Sequence, residues 1–406
     1  MVYCQAMHPY SLYLHIPFCR HRCGYCDFNT YAGLDSLIPD YVQALSLEAR
    51  LLGESAQARL PVHTIFFGGG TPSLLLPAQV NGILNALAES FCILDGAEIS
   101  LEANPGTLSL EYLHALRHMG INRLSLGMQS ANPEELRLLE RQHGFNDVIR
   151  AVSWARSAGF DNLNLDLIFG LPDQTLESWL QNLELALRLE PEHFSLYALT
   201  LEHGTPLAHW ADRGLIPLPD PDLAADMYEQ ASQRLDSMGY IQYEISNWAN
   251  MDKTGQPIAC RHNLQYWRNL PYLGLGAGAH GYAAGVRTAN LLSPAGYIRR
   301  LTESLPAPAD LPVVFPSTPA TLTAQPVDRQ AEIGETMMMG LRLVQEGVSA
   351  EVFRNRFSQN LDQVFEKEIE ELISIGLLEW DGVSQGCLRL TQQGRLLGNQ
   401  VFMRFL

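Results

Sequence analysis

A chain of 406 residues with 47% hydrophobic and 17% charged side chains is long enough for one large domain plus a smaller one. A formal charge of −17 disfavours nucleic acid as the main partner, because phosphate binding relies on dense Lys and Arg. Seven cysteines, no apolar run approaching the roughly 18 residues of a membrane span, and no signal-peptide pattern at the N-terminus argue for a cytoplasmic protein and against a secreted disulfide framework.

In chain order, the first predicted strand is Leu12–Ile16, followed by the run Cys19-Arg-His-Arg-Cys23-Gly-Tyr-Cys26. This CxxxCxxC spacing brings three thiolates within eight residues. Four-iron clusters normally take four cysteines, so three leave one iron open to another ligand. The alternative is a zinc tetrahedron, which needs a fourth Cys or His; His21 is placed to supply one. Five more strands are predicted at Thr64–Gly68, Glu98–Ala103, Arg123–Gln129, Leu163–Phe169 and Phe194–Thr200. Helical patterns separate them, such as Asp40–Leu52, Pro77–Ser90, Leu110–Met119 and Leu176–Leu189. Repeated βα units imply a parallel sheet curling toward a barrel.

Alternation within these strands is informative, since side chains switch faces with period two. Glu98, Ser100 and Glu102 oppose Ile99 and Leu101; Ser125, Gly127 and Gln129 oppose Leu124, Leu126 and Met128; Asn162, Asn164 and Asp166 oppose Leu163, Leu165 and Leu167. Closed barrels pack their interior with branched apolar residues. A polar interior predicts an incomplete barrel around a polar ligand, with Glu102, Gln129 and Asp166 at the carboxyl ends of the strands. The alternative is that these groups only hydrogen-bond to one another. The second strand ends in Phe67-Gly68-Gly69-Gly70-Thr71-Pro72. Its glycines allow positive φ, and free N–H groups there would grip an anion, although a plain turn looks the same.

The run Tyr13-Leu-His-Ile-Pro-Phe-Cys19, closing on Cys26-Asp-Phe28, resembles the radical SAM superfamily. The likeness is to the branch of oxygen-independent coproporphyrinogen III oxidases and HemW haem chaperones. It implies an α/β fold: an incomplete parallel (β/α)6 barrel with a C-terminal winged-helix-like, mainly helical domain. It also implies a 4Fe–4S cluster on Cys19, Cys23 and Cys26, with S-adenosylmethionine (SAM) on the open iron. In this family an electron from the reduced cluster cleaves the sulfonium to methionine and a deoxyadenosyl radical, while the protein orients the cofactor and excludes water. By the same resemblance, Gly69, Gly70 and Thr71 hold the amino end of the methionine moiety. Arg141, in Glu140-Arg-Gln-His143, pairs with the SAM carboxylate, for which a planar fork is suited. Glu102, Gln129 and Asp166 serve other polar parts of the cofactor. Tyr13 either contacts the cofactor through its hydroxyl or packs with that hydroxyl satisfied locally; His15 shapes the cluster loop.

Two departures from the oxidase pattern predict that the chain lacks coproporphyrinogen oxidase activity. The oxidases carry a further cysteine two residues after the third ligand, where this chain has Phe28. They also have a long extension before the first strand, against about ten residues here. Both features are shared with the haem chaperones. A third is Arg261-His262-Asn263-Leu-Gln-Tyr266-Trp267, which matches the HNxxYW motif associated with haem in that group. Imidazole suits haem iron, so His262 is the candidate axial ligand, with Asn263 beside it and Tyr266 and Trp267 packing on the macrocycle. Without that context, a histidine beside aromatics is more often a hydrogen-bonded packing residue. Cys260 competes as a thiolate ligand, but reads as a small packing residue along with Cys4, Cys92 and Cys387. Gly274 to Gly281 resembles a family segment expected near the cofactor pocket.

Three regions are predicted: residues 1–305 as the partial barrel with an extension holding the HNxxYW segment, 306–328 as a Pro/Ala/Thr-rich linker or insertion, and 329–406 as the winged-helix-like domain. Glu366, Glu368, Glu370 and Glu371 make one of its helices acidic and oppose DNA binding. The tail from Leu390 to Leu406 also matches the family. The function implied is a chaperone that binds cluster, SAM and haem and passes haem to acceptor haemoproteins, respiratory and membrane-associated ones included. An electron donor for the cluster and a homodimer accompany this reading. Oxygen-independent coproporphyrinogen III oxidase is the alternative.

Overall fold

The computed structural model describes residues 8–303, 314–381 and 386–406. Cys4, Gly382 and the first part of the expected linker lie outside them. Six strands pair in parallel in chain order: β1 (Tyr10–Ile16), β2 (Pro61–Gly69), β3 (Cys92–Ala103), β4 (Arg123–Gln129), β5 (Leu163–Phe169) and β6 (His193–Ala198). The sheet is open, because β1 takes as its other neighbour a further parallel strand, Tyr272–Leu275, and not β6. Beyond that strand, His280–Ala283, Val286–Asn290 and Thr321–Pro326 continue the sheet antiparallel.

The connecting helices are α1 (Ile38–Ser55), α2 (Pro77–Ser90), α3 (Leu110–His118), α4 (Pro133–Leu138), α5 (Phe145–Ser157) and α6 (Leu176–Leu187). Their starts are chemically marked. Pro77 opens α2, Ser109 Oγ accepts the Tyr112 amide at 3.2 Å, and Thr175 Oγ1 accepts the Ser178 amide at 3.1 Å. On α2, Val80, Ile83, Ala86 and Leu87 recur at helical spacing and are buried.

Period two holds along the strands. Leu12, Leu14, Leu124, Leu126, Leu163, Leu165 and Leu167 are fully buried on one face. The other face is buried too, yet polar: Ser11, Thr64, Ser100, Ser125, Asn164 and Ser195. Most of these groups pair with one another, Ser100 Oγ excepted. Thr64 Oγ1 donates to Ser11 Oγ at 2.6 Å, Asn164 Nδ2 to Ser125 Oγ at 2.7 Å, and both His193 Nδ1 and Ser195 Oγ to Asn164 Oδ1 at 2.6 and 3.1 Å. The amino end of the interior is thereby closed by hydrogen bonds, which leaves the carboxyl end for a ligand.

Two compact units divide the chain at positions other than the expected ones. One holds the residues up to Tyr228 with Pro271–Pro326; the other holds Glu229–Leu270 with Val327–Leu406. The HNxxYW segment, expected with the barrel, packs with the C-terminal module. Arg268 grips Glu346 at 2.7 Å, Asn269 Nδ2 donates to Thr336 Oγ1 at 3.0 Å, and the Val344 amide donates to Tyr243 O at 3.2 Å. The end of the expected linker is the strand Thr321–Pro326. Its proline is tolerated because the strand is at the sheet edge.

In the second unit, helices Arg329–Gly340, Ala350–Phe357, Leu361–Val364 and Glu366–Ser374 accompany an antiparallel sheet ordered Val348–Ser349, Cys387–Leu390, Leu378–Trp380. Ile333, Met337, Phe353, Phe357, Ile369 and Leu372 share its core. This is the helices-then-hairpin pattern expected of a winged-helix-like module.

Candidate cluster and cofactor site

β1 delivers the chain to the cysteine loop at the carboxyl end of the parallel strands. Cys19 is buried, Cys23 and Cys26 are half-buried, and all three are free thiols. The loop is held in shape by its own backbone: the Cys26 amide donates to Cys23 O at 3.1 Å, and Arg22 Nη2 donates to Cys26 O at 3.1 Å. Each sulfur has a polar neighbour. Thr71 Oγ1 lies 3.7 Å from Cys19 Sγ, Thr30 Oγ1 3.9 Å from Cys26 Sγ, and Arg141 Nη1 3.5 Å from Cys23 Sγ. Hydroxyl and guanidinium donors beside sulfur suit thiolate ligands. Burial pushes the free Cys19 and Cys26 thiols up, so ligation must expel protons. His21, the residue that a zinc site would need, is drawn to Glu140 Oε2 at 3.7 Å.

The glycine run meets this loop edge-on. Gly69 has φ of +112°, and a Cβ on it would lie 2.6 Å from the His15 ring. A Cβ on Gly70 would lie 2.6 Å from Phe18 O and 3.0 Å from Cys19 Sγ. Only glycine permits this approach. Of the amides expected to grip an anion, that of Gly69 meets a carboxylate, and those of Gly70 and Thr71 are taken up by backbone carbonyls. The Gly69 amide donates to Glu102 Oε2 at 3.1 Å, Gly70 to Ile16 O at 2.9 Å, and Thr71 to Phe18 O at 2.8 Å.

Above the closed part of the interior stand Glu102 on β3, Gln129 at the end of β4, Asp166 on β5 and Arg141 after α4. Gln129 has φ of +64°, unusual for a residue with a side chain. Its Nε2 and Arg141 Nη2 both lie against Gly127, at 3.0 and 3.1 Å from where a Cβ would be. Arg141 Nη2 also donates to Gly127 O at 2.9 Å. The buried Arg141 Nε has no hydrogen-bond partner, a donor left for an incoming acceptor. Burial disfavours the Arg141 charge, but Tyr25, Cys23 and Asp166 around it more than offset this. Burial, and then the nearby Asp166, push the Glu102 carboxyl up to about 7. Asp166 is raised by burial as well, although Ser125 Oγ and Asn164 Nδ2 donate to it at 2.9 and 2.8 Å. One fixed cation with a spare N–H, two carboxylates at raised pKa and an amide fit a zwitterionic, hydroxyl-bearing ligand such as SAM.

Tyr13 donates its hydroxyl to His15 Nδ1 at 3.1 Å, and His15 Nε2–H donates to Asn29 O at 2.9 Å, a tautomer assigned from these partners. Burial keeps His15 neutral by lowering its pKa. The Tyr13 hydroxyl thus has a local partner, and His15 shapes the cluster loop as expected.

Sequence reading passed over several neighbours. Arg123 opens β4 and is 2% exposed; it shares parity with Ser125 and Gln129, so extending the alternation two residues back finds it. Tyr25 packs with Leu139, Ile168, Leu171, Leu199 and Leu207. Glu135 accepts from Ser178 Oγ and Asn182 Nδ2, each at 2.7 Å, and so ties α4, which leads to Arg141, to α6. Cys92, expected to pack, is exposed.

The HNxxYW residues form the helix Arg261–Trp267 in the second unit. His262 is 1% exposed, and its Nε2 lies 2.8 Å from Tyr266 OH. Arg342 stacks over the Trp267 ring at 4.4 Å, and Asn263 is half-buried. Ligation of iron through His262 Nε2 would require the Tyr266 bond to open. Cys260, at the N-cap of this helix, is buried.

The model of the radical SAM superfamily matches residues 13–186, and that of the HemN C-terminal domain matches residues 327–397. The heme chaperone HemW of Bacillus subtilis (strain 168) is 38% identical over 398 residues, covering 98% of this chain and 99% of its own. The heme chaperone HemW of Escherichia coli (strain K12) is 44% identical over 275 residues, 67% of this chain and 70% of its own. Among solved structures, coproporphyrinogen III oxidase (HemN) from Escherichia coli superposes with a TM-score of 0.79 at 24% identity, covering 98% of this chain and 90% of that one, a likeness of fold. Matched over nearly its whole length by such relatives, and carrying the cysteine triplet at the mouth of an open parallel barrel, the chain belongs to the HemW haem chaperone family of the radical SAM superfamily.

Proposed function

We propose that this protein is a haem chaperone that binds a 4Fe–4S cluster, SAM and haem and transfers haem to acceptor haemoproteins. The observation that carries the reading is its near full-length likeness to relatives named heme chaperones. Phe28, 63% exposed two residues after Cys26, stands where the oxidases have cysteine and turns the reading away from decarboxylation.

When bound, the cluster supplies one electron to the sulfonium of SAM. Cys19, Cys23 and Cys26 hold it, and Thr71, Thr30 and Arg141 donate to their sulfurs, which raises the potential by stabilising negative charge. Arg141 pairs with the SAM carboxylate through its spare N–H. Glu102, Asp166 and Gln129 accept from or donate to the amine and hydroxyl groups, and Gly69, Gly70, Thr71 and Tyr13 wall the pocket beside the cluster. His262, Asn263, Tyr266 and Trp267 would hold haem, with His262 Nε2 freed for iron by opening of its bond to Tyr266. The finer parts of the proposal are respiratory acceptors, some of them at membranes, a separate electron donor, self-association into a dimer and a cytoplasmic location. No described helix is long and apolar enough to cross a membrane.

A haem titration of the anaerobically reconstituted protein, followed in the Soret region, tests this. Wild type is expected to shift the band, and His262→Ala to weaken the shift. Binding unchanged in that variant removes His262 as ligand; no binding by wild type overturns the chaperone reading. With SAM, reductant and coproporphyrinogen, no carbon dioxide is expected under conditions where a control oxidase releases it.

A further inference from the structure

Helix α1 buries a stripe that includes Tyr41, Leu45, Glu48 and Leu52. A carboxylate in an apolar stripe breaks the pattern, and Glu48 is 0% exposed. Burying such a group is costly unless every lone pair finds a donor. Here four donors converge. Glu48 Oε1 accepts from Asn290 Nδ2 and Thr318 Oγ1, both at 2.8 Å; Oε2 accepts from the Gly276 amide at 2.8 Å and from Tyr297 OH at 2.6 Å. The Gly276 and Asn290 groups can only donate, and the Thr318 and Tyr297 hydroxyls each turn their one proton to Glu48. This set matches an ionised carboxylate, even though burial raises its pKa.

What the carboxylate holds is the turn after strand Tyr272–Leu275, and that turn touches the cluster loop. Tyr41 OH accepts from the Ala277 amide at 2.7 Å and donates to His15 O at 2.8 Å. Asn29 Nδ2 donates to Ala277 O at 3.1 Å and to Leu292 O at 3.0 Å. The approach is as close as backbone allows. A Cβ on Gly276 would lie 2.5 Å from His15 O, and one on Gly278 would lie 2.4 Å from Asn29 Nδ2, both at positive φ. From Asn29 the path continues through His15 to the Tyr13 hydroxyl.

We infer that Glu48 is a positioning residue of the cofactor site: it clamps the Gly276–Gly278 turn against Asn29 and His15, and so sets the Tyr13–His15–Asn29 chain beside the cluster. The inference rests on the cluster-and-SAM reading above. Its ligand-facing consequence is separable from cluster loading, because the three cysteines are not part of the clamp.

The test uses full-length, anaerobically reconstituted protein and reads iron and sulfide per chain, SAM affinity, and the change that SAM causes in the paramagnetic spectrum of the reduced cluster. Glu48→Gln is expected to load the cluster fully but to bind SAM about tenfold more weakly, with a diminished spectral change. Asn29→Ala should show the same defect, and the double variant should be no worse than either single one, since both cut one path. Tyr297→Phe removes one donor and leaves the carboxylate, so it gives a milder version of the defect if Glu48→Gln does not fold. Wild-type affinity and spectrum in the Glu48→Gln and Tyr297→Phe proteins, or additive losses in the double variant, overturn the inference alone. A wild-type protein that takes up neither cluster nor SAM overturns it together with the functional reading.

Discussion

Each thiol of the triplet is matched to its own donor, which makes the ligand set testable one residue at a time. Cys19→Ala, Cys23→Ala and Cys26→Ala should each abolish 4Fe–4S absorbance and paramagnetic signals. Cys260→Ala, a change at a helix N-cap in the other unit, should not; loss of the cluster there would refute the assignment. Glu102 gives the site a pH dependence. Its carboxyl is pushed up to about 7 by burial and then by Asp166, so the folded protein holds a proton there that the unfolded chain has already lost. Ionising it costs stability as pH rises from its ordinary range to about 7, and beyond that the cost is constant. A carboxylate is the better acceptor for ligand amine and hydroxyl groups. SAM affinity should therefore climb by up to about tenfold between pH 6 and pH 8 and then level off. Glu102→Gln should flatten that profile, as measured by calorimetry at fixed ionic strength.

At the scale of elements, the site depends on backbones that approach more closely than side chains allow. Gly70→Ala would set a Cβ against two carbonyl oxygens, Phe18 O at 2.6 Å and Ile16 O at 2.9 Å, neither of which can swing away as a flexible side chain would. The expected result is a cost of about 1–3 kcal/mol and poor cluster loading, seen as a lower melting temperature and a low iron count. Gly82→Ala is the control. It lies in the exposed part of α2 with nothing within 4 Å of a Cβ, so it should stabilise by up to about 1 kcal/mol and leave loading unchanged. The positive φ of Gln129 is a related device: the strand ends by turning its last polar side chain toward Gly127 and Arg141.

Over the whole molecule, the six parallel strands and their polar inner face could be read from local pattern alone, because period two in β3, β4 and β5 is a property of neighbouring residues. The cysteine triplet was legible for the same reason, with all its members in one short loop. Tyr272–Leu275 was missed as a strand: its Gly274 weakens the pattern, and its parallel partner β1 is more than two hundred residues away in sequence. Chain order places the HNxxYW segment with the barrel, whereas Arg342, which stacks on Trp267, and Thr336 and Glu346, which bind Asn269 and Arg268 just after it, come from the C-terminal module. Glu48 gave only a negative signal, a charge in an apolar stripe, because its four donors come from residues 276 to 318. By itself, then, the sequence determined the cysteine triplet, the alternating barrel strands and the kinship to haem chaperones. Tertiary structure alone decided which edge of the sheet stays open, where the HNxxYW helix packs and what a buried carboxylate is holding, since each of these depends on contacts between residues far apart along the chain.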